Sequence, residues 1–156
     1  MITKGSPAPN ITFRGTDGVD VSLNSFRPDK VVLFTYGADG TPTCTNEIMD
    51  FNALHEQFVA AGCVVVGLSK DSVKKHQSFS AAKGIKFLLA SDFGGTQMQD
   101  LGTFGEKLFF GKLVQGVLRT TFLIDGDGVV AEIWKVDKVK GHAQAVLDAV
   151  LRTTIK

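Results

Sequence analysis

Apolar segments of two kinds alternate along this chain. Val31–Thr35 and Cys63–Leu68 are almost continuously apolar over the length of a strand and predict two buried β-strands. Residues 44–61, which lie between them, contain neither Pro nor Gly. Apolar side chains recur in that segment with helical spacing, at Ile48, Phe51, Leu54 and Phe58. The order strand, helix, strand predicts a parallel pair within an α/β sheet.

Shorter patterns extend this prediction toward both ends of the chain. Ile11–Phe13 and Val19–Leu23 flank a Gly-Thr-Asp-Gly turn and predict an N-terminal β-hairpin. Thr121–Ile124 and Val129–Trp134 flank an Asp-Gly-Asp-Gly turn and predict a second hairpin. Three further helices are predicted, at Ser72–Lys83, Thr96–Leu101 and His142–Leu151. The fold class is therefore α/β, with a mixed β-sheet that has helices on both faces.

Length and charge narrow the class of protein. The 156 residues are enough for one domain, 1–156, with its own hydrophobic core. Lys and Arg number 17 against 16 Asp and Glu, and no long basic run is present, so no nucleic-acid or membrane partner is expected. The first residues show no apolar leader pattern, and no apolar run is long enough to cross a bilayer. These observations predict a soluble, cytoplasmic protein.

The two cysteines, Cys44 and Cys63, form neither a disulfide framework nor a Cys-x-x-Cys pair. The three histidines, His55, His76 and His142, are scattered and lack the spacing of a metal site. The sequence therefore predicts neither a metal nor a cofactor, and each cysteine has to be considered separately.

Cys44 lies where a buried strand passes through a polar loop into a long helix. Ligands of open α/β sheets bind at such carboxyl ends of strands. A cysteine in the first turn of a helix meets unpaired backbone N–H groups and the positive end of the helix dipole, and both favour the thiolate. The hydroxyl of Thr41 can reach the same point, while Pro42 needs no N–H and holds the loop in shape. The pattern predicts a lowered pKa for Cys44 and a place for a small oxygen ligand.

Two other interpretations of Cys44 remain open at this point. A lone cysteine is more often a core residue than a nucleophile. A Cys–His hydrolase is also compatible with the residues. His55 follows eleven positions later on the same predicted helix, about 16 Å away, and is too far to act as its base. His76 or His142 would have to approach Cys44 through the fold.

The segment Thr41–Glu47, with the sequence Thr-Pro-Thr-Cys-Thr-Asn-Glu, resembles the Thr-Pro-Gly-Cys-Thr-x-Glu active-site stretch of peroxiredoxins. The resemblance is to the branch called bacterioferritin comigratory protein or peroxiredoxin Q. Further segments resemble that branch in the same order. They are Gly5–Pro9, Val64–Ser72, the branch's characteristic loop (Phe104–Lys107 with Gly111 and Lys112), Arg119–Asp125 and Val139–His142. The resemblance implies a thioredoxin-like fold over nearly the whole chain.

The family resemblance also implies a function and a role for each site residue. The protein would be a thiol-dependent peroxidase that reduces hydrogen peroxide and organic hydroperoxides, with Cys44 as the peroxidatic nucleophile. Thr41 and the backbone N–H groups of Thr43 and Cys44 would hold the peroxide. Arg119 would lower the pKa of Cys44 as a fixed cation. Glu47 would orient Arg119 or satisfy the start of the helix.

The chain also departs from the family at several positions. Gly37 stands where the family usually has Pro, and Met49 where many relatives carry a resolving cysteine. A second resolving position, within Ser72–Lys83, also holds no cysteine. A one-cysteine mechanism is therefore expected, with thioredoxin, glutaredoxin or a low-molecular-weight thiol as the external reductant and a monomer or weak homodimer as the working form. The alternative is a weakly active redox sensor or holdase-type binding protein on the same scaffold.

Two further expectations concern residues outside that motif. Cys63 is interpreted as a core residue, separated from Cys44 by a helix that would place their Cα atoms more than about 20 Å apart. The apolar segments Leu108–Phe110 and Leu113–Val114 could contact a bulky peroxide, form a dimer contact or belong to the core, and the core is favoured in part.

Overall fold

A computed structural model describes residues 2–92 and 96–154 of the chain. The N-terminal half contains β1 (Thr12–Gly15), β2 (Asp20–Ser22), a 3-10 turn (Leu23–Phe26), β3 (Lys30–Thr35), α1 (Pro42–Ala53), α2 (His55–Ala60), β4 (Cys63–Ser69) and α3 (Val73–Lys83). The C-terminal half contains β5 (Leu88–Ser91), α4 (Thr96–Leu101), β6 (Phe104–Phe109), β7 (Lys112–Val117), β8 (Thr120–Ile124), β9 (Val130–Lys135) and α5 (His142–Thr154).

Seven of the strands form one mixed sheet in the order β2-β1-β5-β4-β3-β8-β9. An inner strand of this sheet, β3, runs parallel to β4 and antiparallel to β8. Successive side chains of β3 point to opposite faces, so Val32 and Phe34 join a core built with α1, α2 and α5. Val31 and Leu33 join a second core that includes Met98 of α4. The predicted mixed sheet with helices on both faces is therefore confirmed.

The register around β3 brings distant parts of the chain to one edge of the sheet. Thr35, the last residue of β3, lies opposite both Leu68 of β4 and Thr120 of β8. Because β8 is antiparallel to β3, the residue just before β8, Arg119, lies beside the loop that leaves β3. The carboxyl end of β3 is thus where the loop to α1 meets the start of β8.

The predicted single helix over residues 44–61 is wrong in two respects. Helix α1 already begins at Pro42, and the helix is interrupted at Leu54, whose backbone dihedrals (φ −101°, ψ 3°) leave the helical region. Asn52, two residues earlier, uses its side-chain amide to bond the Gly84 carbonyl and the Lys86 N–H. These tertiary bonds hold the last turn of α1 next to the segment after α3, and a separate helix, α2, begins after Leu54.

Three strands, β5, β6 and β7, were not predicted. Strand β5 is a short apolar run that pairs with β4 on one side and β1 on the other, and it thereby joins the N-terminal hairpin to the rest of the sheet. The segment expected as a family-specific loop at residues 104–112 is a regular hairpin, β6 with β7. Its tip does not belong to the core, since Leu108, Phe110 and Leu113 are exposed, Phe110 to 90%. The side chain of Phe109 lies outside the described residues.

The other predicted elements are confirmed, with boundaries that shift by up to three residues. They are the N-terminal hairpin, the two buried strands, the helices at 72–83, 96–101 and 142–151, and the hairpin of β8 and β9. None of the helices in the described ranges is long and apolar enough to span a membrane.

Candidate active site

Cys44 occupies the third position of α1, close to the sheet edge where β3 ends. Pro42 is the first helical residue, and Thr41 is the N-cap with extended backbone (φ −73°, ψ 148°). The first helical bond runs from the Thr45 N–H to the Thr41 carbonyl at 2.8 Å. The N–H groups of Thr43 and Cys44 precede that bond, so no carbonyl of the helix can accept from them. As the first N–H groups of the helix, they are available to a ligand at the helix start.

The sulfur of Cys44 is buried and is surrounded by hydrogen-bond donors. Burial opposes ionisation of the thiol, but interactions with the Thr41 hydroxyl, the Ala38 backbone and Arg119 outweigh it and lower the pKa of Cys44. Nη2 of Arg119 lies 3.2 Å from Sγ. The Thr41 hydroxyl also lies 3.2 Å from the Ala38 carbonyl oxygen, and its single proton can serve only one acceptor at a time. An ionised sulfur is the stronger acceptor of the two.

Arg119 reaches Cys44 because a buried threonine fixes the chain on either side of it. The Thr35 hydroxyl donates to the Leu118 carbonyl at 2.9 Å and accepts from the Thr120 N–H at 3.2 Å. Both bonds bracket Arg119. Thr35 was not predicted as a site residue, and its only sequence signal is a polar side chain at the end of an apolar strand.

Glu47 lies one turn after Cys44 and is 1% exposed. Its Oε1 accepts a hydrogen bond of 2.6 Å from Nη1 of Arg119. Burial raises the pKa of Glu47 to about 7, against the opposing effect of the Arg119 charge. Oε2 has no hydrogen-bond partner among the described residues. The described contacts of the Glu47 side chain are with Arg119.

Gly37 is the second residue of the loop between β3 and α1. A Cβ added there would lie 3.8 Å from Sγ of Cys44, an ordinary contact distance, and the backbone does not need the left-handed conformation. The position therefore accepts a larger residue without strain. Its present side chain, a hydrogen, leaves open space at one side of the sulfur.

Neither candidate histidine of the hydrolase interpretation contacts Cys44. Nδ1 of His76 lies 2.6 Å from Asp39, and Nε2 of His142 lies 2.8 Å from the Thr121 hydroxyl. Burial and then the Arg119 charge lower the pKa of His142. Both imidazoles thus have buried partners of their own, and the sulfur is held by Arg119 instead.

Cys63 and Met49 show no geometry for resolving a disulfide. Cys63 is buried, and burial raises the pKa of its thiol to about 12. It pairs with Lys30 at the first position of β3, whereas Cys44 lies beyond the last position of that strand. The strand's five residue steps alone separate the two ends by roughly 16 Å. Met49 is partly exposed on α1.

Comparison with known proteins agrees with this geometry. The sequence signature described as the AhpC/TSA family matches residues 4–133. A putative peroxiredoxin bcp of Coxiella burnetii is 42% identical over 146 residues, which cover 94% of this chain and 97% of the relative. Peroxiredoxin Bcp of Xanthomonas campestris is 41% identical over 132 residues, 85% of this chain and 82% of the relative.

Solved structures of peroxiredoxins are also similar to this chain. The Xanthomonas campestris bacterioferritin comigratory protein, described for its alkyl peroxide reduction activity, superposes with a TM-score of 0.87 at 38% identity, covering 92% of each chain. A PrxQ mutant from Xylella fastidiosa superposes with a TM-score of 0.91 at 31% identity, covering 98% of each chain. The expected thioredoxin-like peroxiredoxin fold is confirmed.

The fold and the similarity to these relatives make the chain a peroxiredoxin, a member of a class of thiol-dependent peroxidases. The chain belongs to the AhpC/TSA family.

Proposed function

We propose that this peroxidase reduces hydrogen peroxide and organic hydroperoxides through the thiolate of Cys44, in a one-cysteine cycle completed by an external thiol. The observation that carries the proposal is the convergence of three groups on one sulfur. These are the Arg119 guanidinium, the Thr41 hydroxyl and the Ala38 backbone, which together lower the pKa of Cys44 despite its burial. The thiolate form is the nucleophile.

The first step transfers an oxygen atom to sulfur. The thiolate attacks one peroxide oxygen, a sulfur–oxygen bond forms as the oxygen–oxygen bond breaks, and two electrons pass from sulfur to the departing oxygen. That oxygen takes up a proton and leaves as water or an alcohol. The N–H groups of Thr43 and Cys44, with the Thr41 hydroxyl, hold the peroxide and the developing negative charge. Arg119 stabilises the same charge and is held in place by Glu47, while Pro42 keeps the helix start rigid.

A cleft of about 850 Å³ beside Arg119 supports organic hydroperoxides as substrates. Its apolar lining includes Leu101, Val117, Phe122 and Ile133, and Gly37 lies at its wall. A substrate with an apolar substituent could bury that substituent in the cleft while its peroxide group lies near Cys44. The relative from Xanthomonas campestris is described for alkyl peroxide reduction.

The second half of the cycle needs a thiol from outside the chain, because Cys63 lies at the opposite end of β3. That thiol attacks the sulfenic acid of Cys44, releases water and leaves a mixed disulfide. A second thiol then regenerates Cys44. The reductant is thioredoxin, glutaredoxin or a low-molecular-weight thiol. The protein works as a monomer or weak homodimer in the cytoplasm, where such thiols are kept reduced.

Peroxide consumption with dithiothreitol as reductant tests the assignment of Cys44. Wild type and Cys63→Ser are expected to consume peroxide at similar rates, and Cys44→Ser is expected to be inactive, because a serine hydroxyl is not ionised near neutral pH. Mass spectrometry after one equivalent of peroxide is expected to find the added oxygen on Cys44.

Turnover by Cys44→Ser within about tenfold of wild type would refute the role of Cys44 as nucleophile. A wild-type protein that consumes no peroxide under these conditions would favour the alternative, a redox sensor or holdase-type binding protein, to which Gly37 and Met49 point.

A further inference from the structure

A buried hydrogen-bond network lies directly behind the loop that carries the site. The carboxylate of Asp39, whose side chain is 1% exposed, accepts from the Tyr36 hydroxyl at 2.6 Å. Its other oxygen accepts from Nδ1 of His76, also at 2.6 Å. The backbone N–H of Asp39 donates to Asp71 at 2.7 Å. Two of these bonds tie Asp39 to His76 of α3 and to Asp71 just before that helix, and the third joins it to Tyr36 of the same loop.

In the sequence, Asp39 lies between the two loop residues that interact with the sulfur of Cys44. Ala38, which interacts with Cys44, directly precedes Asp39, and Thr41 follows two positions later. Glycines flank this stretch at positions 37 and 40, the second in a left-handed conformation (φ +87°). Glycine leaves the backbone free to adopt many conformations. The loop therefore owes its single conformation to the bonds of Asp39 rather than to its own stiffness.

The network has the order of groups found in a hydrolytic triad, since Nε2 of His76 lies 3.3 Å from the Ser69 hydroxyl. Hydrolysis is excluded by burial, because Ser69 and His76 are both completely buried. Ser69 also lies 2.9 Å from Asp71, to which it donates its proton. The direct bond between Asp39 and His76 likewise occupies the space that an ion between them would need. The remaining use of the network is mechanical.

We infer that Asp39 and His76 are positioning residues of the peroxide reaction, which clamp the loop to α3 and thereby hold Ala38 and Thr41 against the sulfur of Cys44. The inference rests on the proposed role of Cys44 as nucleophile. Without the clamp, the two glycines let the loop move away, and the sulfur loses two of its three donors. Displacement of a reacting group by about 1 Å can cost on the order of a hundredfold in rate.

A pair of substitutions at one position tests the clamp. His76→Leu keeps much of the volume and removes both ring nitrogens, whereas His76→Asn places an amide N–H near the position of Nδ1. Two quantities are measured for Cys44: the second-order rate constant with hydrogen peroxide, and the pH midpoint of alkylation by iodoacetamide. His76→Leu is expected to slow oxidation by about ten- to a hundredfold and to raise the midpoint. His76→Asn is expected to recover most of both.

The control variant is Val146→Ala, a fully buried position of α5 with no part in the network. It is expected to lower the melting temperature and leave both Cys44 readouts at wild-type values. If His76→Leu also lowers only the melting temperature, the network is merely structural and the inference is wrong. If His76→Leu does not fold, the same two quantities are measured for Tyr36→Phe, which removes the other donor to Asp39. The same changes in rate and midpoint are then expected.

The two readouts also separate this inference from the proposed function. Alkylation of Cys44 reports its ionisation without any turnover. Suppose that the wild type consumes no peroxide, but that His76→Leu still raises the pH midpoint of Cys44 alkylation. The peroxidase role of Cys44 would then be wrong, and the inference about the clamp would stand. If the wild type is an active peroxidase, and the substitutions at His76 and Tyr36 change neither the alkylation midpoint nor the oxidation rate of Cys44, then only the inference about the clamp is wrong.

Discussion

Arg119 holds Glu47 and Cys44 at the same time, with Nη1 2.6 Å from a carboxylate oxygen and Nη2 3.2 Å from the sulfur. Two nitrogens of one planar guanidinium therefore contact two different acceptors, a carboxyl oxygen and a sulfur. A lysine ammonium is a single point charge and cannot span both in the same fixed geometry. The carboxylate sets the direction of the fork, and the fork stabilises the thiolate.

This arrangement predicts graded effects at position 119. Arg119→Ala is expected to slow oxidation of Cys44 by about ten- to a thousandfold and to raise the pKa of its thiol, because a fixed cation is lost. Arg119→Lys is expected to fall between Ala and wild type. Stopped-flow rates with hydrogen peroxide measure the first effect, and thiolate absorbance against pH the second. Arg14→Ala, which breaks only an exposed pair with Asp20, is the control. Wild-type rates in Arg119→Ala would remove the residue from the mechanism.

The hydroxyl of Thr41 gives a second prediction. Thr41→Val retains the shape of the side chain and removes the proton donor, so the peroxide step is expected to slow by about ten- to a thousandfold. Thr41→Ser keeps the hydroxyl and should stay close to wild type. The same stopped-flow measurement checks both. Equal rates for the Val and Ser variants would show that the hydroxyl takes no part.

The third prediction concerns stability and pH. Burial raises the pKa of Glu47 to about 7, from 4.5 in the absence of the fold. The folded state therefore binds this proton more tightly than the unfolded state does. The resulting stabilisation is complete below pH 4.5 and is lost as the pH rises through 7. Glu47→Gln has no such proton to lose.

The free energy of unfolding of wild type relative to Glu47→Gln is accordingly expected to fall by about 3 kcal/mol from acid to alkaline pH. Urea unfolding of both proteins across that range measures the difference. Glu56→Gln, at a carboxyl that is 87% exposed, is the control. A difference that grows in favour of wild type at high pH would mean that the ion pair with Arg119 outweighs burial.

The fourth prediction is that Cys44 and Cys63 form no disulfide within one folded chain. A disulfide needs Cα atoms within about 7 Å, and the two residues lie at opposite ends of β3. Alkylation and peptide mapping after one equivalent of peroxide should find oxidised Cys44 beside a free Cys63. A Cys44–Cys63 linkage in a monomer with a native circular dichroism spectrum would contradict this. The conclusion agrees with the expected separation, although the continuous helix on which that expectation rested is interrupted at Leu54.

Local patterns along the chain were sufficient for most of the elements and for the position of Cys44 at the start of a helix. A buried strand, a helix start and the position of Cys44 between them all depend on residues within a few positions of one another, and hydrophobic period and capping chemistry act over that range. The same holds for the N-terminal hairpin, whose turn residues are contiguous in the sequence.

The tertiary structure alone decided which distant groups meet at Cys44. Arg119 is 75 positions away and reaches the sulfur because β8 pairs antiparallel with β3 in one particular register. The break at Leu54, the pairing of β5 and the bond between Asp39 and His76 depend likewise on contacts between separate elements. Periodicity along a chain shows which face of an element is buried, but it does not show which other element packs against that face. Those partners are chosen when the sheet and both cores assemble.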